Sequence, residues 1–523
     1  MKCLSTQYSP EFREQAVSQK LELFHPRFIL ELQKYSPLQR RSPQVTDIKV
    51  MKEGKMDLQL HVQNMLTSIL PAAVPPHANR VIILGLSGGV DSIVLLNLLH
   101  QWTLKSSWSL CALHVHHGLS PHADSWAAFC AGSCEKLNVP LQVDRVNIAP
   151  LRMMGVEAAA RKLRHAALLS QRADYIVLAH HQDDQAETLL LQLLRGAGVR
   201  GAAAMPVAKQ AMAQQIVHER THKKILLRPL LDVPRSELLQ YAQAHALQWI
   251  EDESNADDRY PRNYLRHRVL PTLEVRFPAY RATLSRSARN FAEASELLDE
   301  LALQDWALQD LNQYTHANEA TLEVSRLCKL SSARGKNLLR YFFASLNAPI
   351  PDSTQLEEML HQLCYARSDA AVCVNFGGWQ VRRYRGRAYV APMQQVWAEN
   401  MAENFCVTWR GESSLPIPQL GGTLYFKPVS GQGISLQKLQ LKPVTVRLRR
   451  GAERIRPHSQ RPTRTLKNLF QEYAIPPWQR DHLPLLFCGE DLVWVAGVAT
   501  AENYGSPPSE TGMQLVWNED SLL

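Results

Sequence analysis

The chain has 523 residues, 45% of them hydrophobic, which is enough for roughly two to four domains with proper apolar cores. No apolar run reaches the length of a membrane span and the N-terminus lacks a signal-peptide core, so a membrane-spanning or exported protein is not expected. The formal charge of +9 favours a polyanionic partner, and nine dispersed cysteines without a Cys-x-x-Cys pair exclude zinc-ribbon and dithiol spacing and suit reduced thiols in a cytoplasm.

Residues 1–56 are polar, Pro-punctuated and without sustained periodicity, and read as a disordered extension or a start-site artefact, with Met51, Met56 and Met65 downstream. Patterning begins near Asp57, where Leu58, Leu60, Val62, Met65, Leu66 and Ile69 outline an apolar helix face. From Val81 to about Ile250 strand-like and helix-like segments alternate. Strands are expected at 81–86, 110–115, 141–146, 175–179 and 225–231. Helices are expected at 93–99, 123–137, 157–171, 186–194 and 234–245. Such alternation predicts a doubly wound α/β domain with a parallel sheet, placed at 57–275. Ligands bind such sheets at the carboxyl ends of the strands, which singles out Ser87–Ser92, His114–His117 and His180–Asp184.

The first of these, Ser87-Gly88-Gly89-Val90-Asp91-Ser92, is the most informative. Glycines between a buried strand and an apolar helix leave backbone N–H groups and a positive helix N-terminus facing an anion, and Ser87 and Ser92 can donate hydroxyls. Asp91 would repel a phosphate unless a cation bridged them, so a Mg²⁺ ion between Asp91 and pyrophosphate is expected. The turn holds no Lys and lacks kinase-type P-loop spacing. It resembles the pyrophosphate loop of the ATP pyrophosphatase superfamily, which implies cleavage of ATP between the α- and β-phosphates and adenylation of a substrate oxygen.

The run His180-His181-Gln182-Asp183-Asp184-Gln185-Ala186-Glu187-Thr188 gathers imidazoles and carboxylates at the third strand end. Two readings from the residues alone stay open: His180 and Asp184 as metal ligands four apart on one helix face, and Asp183 as a helix cap. Together with the glycine loop, this run resembles the tRNA(Ile)-lysidine synthetase family in its long form. The resemblance implies that His180 and Asp184 are the active-site pair, with Asp184 the proton acceptor or ammonium ligand. Glu157-Ala158-Ala159-Ala160-Arg161-Lys162-Leu163-Arg164-His165 resembles that family's Glu-Ala-x-x-Arg-x-x-Arg-Tyr helix, with His165 in place of Tyr. It carries over Arg161 as a contact to phosphate or to the reacting base, against the alternative of a solvated helix cation.

Arg262-Asn263-Tyr264-Leu265-Arg266, after Asp252-Glu253-Ser254-Asn255, resembles the segment closing the family's catalytic domain. Between Arg259 and Arg289 eight arginines stand against one acid, Glu274, so Arg262, Asn263 and Arg266 are expected on an RNA backbone. A helix-rich tRNA-binding domain is expected at 276–400, with long amphipathic periodicity over 281–309, a second helix at 334–346, and strands at 372–376 and 379–384 forming a hairpin. Gly421–Gly422 and Pro428–Gly433 read as a linker. A small α+β basic domain is expected within 401–523: Lys442 to Lys467 holds nine Lys or Arg against Glu453 alone, and this stretch resembles the family's C-terminal domain. Arg447, Arg449, Arg450 and Lys467 are the expected tRNA contacts.

The family's chemistry is physically sensible. The C2 carbonyl of cytosine is a poor electrophile, adenylation of its oxygen supplies a leaving group, and the ε-amine of L-lysine then displaces AMP at C2. The resemblance therefore implies an ATP- and Mg²⁺-dependent ligase acting on the wobble cytidine (position 34) of a CAU-anticodon tRNA(Ile), with decoding changed from AUG to AUA. A tRNA 2-thiolation enzyme is the nearest rival, and the lack of Cys-x-x-Cys counts against it. An amidotransferase-type synthetase would need a glutaminase domain that is not visible, and a non-catalytic RNA-binding protein would not need Asp91, His180 and Asp184 together. Oligomeric state is left open, a homodimer included.

Overall fold

The computed structural model describes residues 56–70, 80–212, 223–307, 321–367, 370–393, 405–457 and 462–519. All of the expected extension except Met56, as well as Arg461 of the basic run, lies outside the described residues. Two compact units divide at Leu297/Leu298, inside a helix of 28 residues, Tyr280–Ala307.

The first unit is built on a six-stranded sheet of β1 (Val81–Gly85), β2 (Ser109–His116), β3 (Leu141–Arg145), β4 (Tyr175–Val177), β5 (Ala208–Met212) and β6 (Lys223–Leu227). Their spatial order is β3-β2-β1-β4-β6-β5, all parallel except β5, which runs antiparallel to β6. Five helices matter to the site: α1 (Leu58–Ile69), α2 (Val90–Thr103), α3 (Ala123–Glu135), α4 (Val156–Ser170) and α5 (Gln182–Leu194). Asp57 caps α1 by accepting from the Leu60 N–H at 3.1 Å, which satisfies one of the orphan donors of its first turn. α2 is apolar almost all round because it lies under the sheet, with Leu95, Leu96, Leu98 and Leu99 fully buried. Truncating one of these leucines to Ala would cost about 2–5 kcal/mol through lost transfer energy and the cavity left behind.

The chain runs outward from β1 to β2 and β3, then crosses back to place β4 on the other flank of β1. The turns leaving β1 and β4 therefore diverge, opening the crevice in which doubly wound sheets bind ligands. β5 is absent from the expected elements, because Ala208–Met212 has neither alternation nor an apolar run, being polar and antiparallel on the sheet edge.

In the second unit, a four-stranded sheet in the order β7 (Thr321–Glu323), β10 (Arg387–Pro392), β9 (Trp379–Tyr384), β8 (Cys373–Phe376) packs with two helices, Ser332–Ser345 and Ser353–Tyr365. The expected hairpin is thus the far half of a sheet. Ser331 and Asp352 cap the two helices. Cys328 and Cys364 form a disulfide across 36 residues, Cα–Cα 5.4 Å, which corrects the expectation of reduced thiols for this pair. Packing of the 324–328 turn against the second helix brings them together, and no spacing rule in the sequence encodes that.

The expected linker is also corrected. Gly422–Ser430 is a nine-residue strand paired along its length with Thr511–Glu519, inside the C-terminal core. A Cβ at Gly422 would lie 2.5 Å from the Asn518 carbonyl oxygen and from the Trp517 ring, so this glycine serves close packing. Pro428 is tolerated because strand Ser414–Ile417 pairs only with residues 422–425, leaving an edge where its missing N–H is not required.

Candidate active site

The turn after β1 is held by its own hydroxyls. Ser92 Oγ accepts from the backbone N–H groups of Ser87 (3.3 Å) and Gly88 (3.1 Å) and donates to the Gly89 carbonyl at 2.9 Å. Gly88 sits at φ +90°, where a Cβ would strike the Ile250 side chain at 2.8 Å. The Ile250 N–H in turn donates to the Gly88 carbonyl at 2.9 Å, locking the loop from outside. Asp91 follows in the first turn of α2, with its Oδ1 buried and without a hydrogen bond among the described residues.

Across the crevice α5 begins at Gln182, four residues earlier than its apolar pattern suggests. His180 therefore precedes the helix, and the expected helix face shared by His180 and Asp184 is not formed. Nor is there any group of three or more metal-ligating side chains among the described residues. The capping role expected of Asp183 belongs to Asp184, whose Oδ2 accepts from the His181 N–H at 3.1 Å. Asp183 instead accepts from the Arg235 N–H (3.0 Å) and Arg281 Nε (2.5 Å).

The residue that joins the two strand ends is His181, which the sequence reading passed over in favour of its neighbour. It is 2% exposed, and its Nε2 lies 3.6 Å from Asp91 Oδ2 and 3.4 Å from Asp184 Oδ2. Burial alone would depress its pKa, but Asp184, Asp91 and Asp183 together outweigh that and raise it. Among the described residues His180 has only Asp184 as an acid neighbour and faces several arginines, so burial dominates and its pKa falls to about 4, leaving it neutral at pH 7. Asp184 is opposed by burial, yet His181, Arg262 and His180 hold its pKa below the ordinary carboxylate value.

Arg262 and Arg266, expected on an RNA backbone, are engaged by carboxylates of α5. Both Nε atoms donate to the Glu187 carboxylate at 2.7 Å, and both Nη2 atoms reach Asp184 Oδ1 at 3.3 and 3.4 Å. Glu187 is fully buried, one turn along α5 from Asp184. Asn263 donates to the Asp257 carbonyl at 3.0 Å. Of the other arginines in the run, Arg259 pairs with Asp257, Arg268 with Asp258, Arg281 with Asp183 and Glu274, and Arg289 with Asp232. Counting acids only inside the run missed partners supplied from just upstream and from across the fold. Arg161, on α4, is exposed and makes no hydrogen bond or ion pair among the described residues.

The other strand end, His114–His117, is bound into the fold on one side of each ring. His114 Nδ1 bonds the Leu86 carbonyl at 2.9 Å and His116 lies 3.3 Å from Asp124. His117 accepts from Arg164 Nε at 3.4 Å, and burial with that cation lowers its pKa to about 4.

In the second unit two of the four expected cations, Arg447 and Arg450, line a cavity of about 420 Å³ together with Arg454, Phe487, Glu453 and Glu490, while Arg449 and Lys467 do not. Arg447 stacks over Phe487 at 4.1 Å and donates to the Gly489 carbonyl, and Arg449 pairs with Asp481 at 2.6 Å. Lys467 is exposed.

Residues 58–273 match a PP-loop domain model, 322–389 the TilS substrate binding domain and 444–517 the TilS substrate C-terminal domain. The chain is 42% identical over 443 residues to a tRNA(Ile)-lysidine synthase of Nitrosomonas europaea, covering 84% of this chain and 92% of that protein. It is 37% identical to one of Coxiella burnetii (84% and 93% covered) and 36% identical to one of Escherichia coli O157:H7 (85% and 97%).

Proposed function

The chain belongs to the tRNA(Ile)-lysidine synthase family, and on that premise we propose how its residues divide the reaction between the two strand ends. It is an ATP-dependent ligase that joins L-lysine to C2 of the wobble cytidine of CAU-anticodon tRNA(Ile). The O2 oxygen of cytosine attacks the α-phosphate, pyrophosphate leaves, and the ε-amine then displaces AMP, giving lysidine.

The observation that carries the assignment is the Asp91–His181–Asp184 chain, which links the phosphate loop to the start of α5 through contacts of 3.6 and 3.4 Å. Ser87 to Ser92 cradle the leaving pyrophosphate with backbone donors and the α2 N-terminus, preorganised for the charge that develops there. Asp91 would hold Mg²⁺ through Oδ1, which has no hydrogen bond among the described residues and faces Arg235 Nε at 3.7 Å, and such an ion neutralises phosphate charge when bound.

Asp184, kept ionised, is the carboxylate that receives the lysine ammonium and takes up its proton as the amine adds to C2. A carboxylate offers about four lone-pair sites. Arg262 and Arg266 meet Oδ1, and the His181 N–H and Nε2 meet Oδ2, so the incoming ammonium displaces one of these contacts. His180, being neutral, adds no cation to repel it. Arg161 contacts the phosphate or the base under reaction. The cations around the Arg447 cavity, with Lys467, hold the tRNA, Arg262 and Arg266 acting only through α5.

The test is incorporation of labelled lysine, with ATP and Mg²⁺, into CAU-anticodon tRNA(Ile) against elongator methionine tRNA. Incorporation confined to the isoleucine tRNA, with AMP released, is expected. AMP release with another nucleophile, or none at all from folded protein, contradicts the assignment.

A further inference from the structure

A second set of cations lies at the carboxyl edge of the same sheet, beyond β4. Arg228 follows β6 directly, and Lys209 sits on β5, the antiparallel edge strand, paired with Leu226. Arg228 is 8% exposed, yet its Nε has no hydrogen-bond partner among the described residues. Its Nη1 donates to the Pro206 carbonyl at 2.8 Å, and its own N–H donates to the Val207 carbonyl at 2.8 Å, so the guanidinium is fixed in place. The 205 turn is itself clamped to α5, Gln185 exchanging two hydrogen bonds with the Met205 backbone at 2.9 and 3.0 Å. His180 Nδ1, at the end of the adjacent β4, is likewise buried and unbonded.

The charges acting on these groups are of one sign. After burial, Arg161 is what depresses Arg228, to about 10, and Arg228, Arg161 and Arg200 are what depress Lys209. His165 is lowered by burial, Lys209, Arg228 and Arg161. Among the described residues no carboxylate acts on Arg228, Lys209 or His165. A buried cation with unused donors and only cations for company is costly unless an anion completes it.

We propose that Arg228 and Lys209 form a phosphate site that takes a phosphodiester of the tRNA anticodon loop and so seats the wobble base at the crevice. The alternative source of the same oxyanion is ATP. Its triphosphate is already served by the turn after β1, and β5 lies three strand spacings from β1, about 14 Å away. A single RNA strand carries a phosphate at every nucleotide and can bridge that span. This inference rests on the tRNA reading above.

The experiment measures tRNA(Ile) affinity by direct binding, and ATP affinity without tRNA, for the full chain and for Lys209→Met, Arg228→Met and Arg228→Lys. Lys209→Met should weaken tRNA binding about fivefold and reduce the slope of log K against log salt by about one. Arg228→Met should weaken it more than about tenfold, with partial recovery in Arg228→Lys, whose point charge lacks the planar fork. ATP affinity should not change. Unaltered tRNA affinity in folded Lys209→Met and Arg228→Lys overturns the proposal, and loss of ATP affinity in its place assigns the anion to the nucleotide and overturns the RNA assignment. Failure of the wild type to incorporate lysine would count against the ligase reading alone, because binding scores this site independently.

Discussion

Two arginine-rich regions, alike in sequence, are put to opposite use. In the first unit Arg262, Arg266 and Arg281 turn inward onto Asp183, Asp184 and the buried Glu187, and so fix the start of α5 beside the phosphate loop. In the C-terminal region Arg449, Arg456 and Lys442 meet only partly or well exposed carboxylates. Surface pairs of that kind contribute about 0–1 kcal/mol, whereas removing one partner of a buried pair costs about 3–5 kcal/mol. The difference is set by where the acids lie in the fold, and a charge run by itself does not say whether its cations face RNA or the interior.

The sharpest way to break this contrast is Glu187→Ala. It leaves Arg262 and Arg266 without their principal partner, and should lower stability by about 3–5 kcal/mol in urea denaturation and abolish lysine incorporation. Asp184→Asn is more discriminating, since the amide oxygen can still cap α5 while the charge is gone. It should bind tRNA normally and turn over more than about a hundredfold more slowly. Equal activity would remove Asp184 from its assigned role.

His181 supplies a pH test. Its folded pKa is raised above the ordinary 6.5, so the stability it contributes is fully present below that pH and is lost as pH rises through the folded value. Denaturation midpoints should fall from pH 6 to pH 9 in the wild type, and by less in His181→Asn. A flat profile in the wild type would show that the acid cluster does not hold the imidazolium. The smallest effects belong to the C-terminal region. Arg449→Ala and Lys467→Ala should each change stability by less than about 0.5 kcal/mol, yet raise KM for tRNA a few-fold at low salt and less at high salt.

The α/β architecture was legible because strand and helix periods alternate and because the glycine turn stands between a buried strand and an apolar helix. Asp91 and Asp184 were legible from motif and position. His181 was not, since two adjacent histidines at a strand end are equivalent until the start of α5 decides which one turns inward. The partners of Arg262 and Arg266 lie 75 to 82 residues away, beyond any local pattern. The Gly422–Ser430 strand was misread because Gly and Pro mark loops in general, while here one permits backbone contact and the other sits on an edge. Arg228 gave no signal at all, because its meaning lies in a buried Nε that only the packed sheet reveals.

The central claim is that Asp91 and Asp184 serve successive halves of one reaction. It is tested most directly by following transfer of label from [α-³²P]ATP to CAU-anticodon tRNA(Ile) without lysine, in the wild type, Asp91→Asn and Asp184→Asn. The account predicts labelled tRNA with wild type and Asp184→Asn, discharged by added lysine only in the wild type, and none with Asp91→Asn. Normal discharge by Asp184→Asn, or normal labelling by Asp91→Asn, would contradict it.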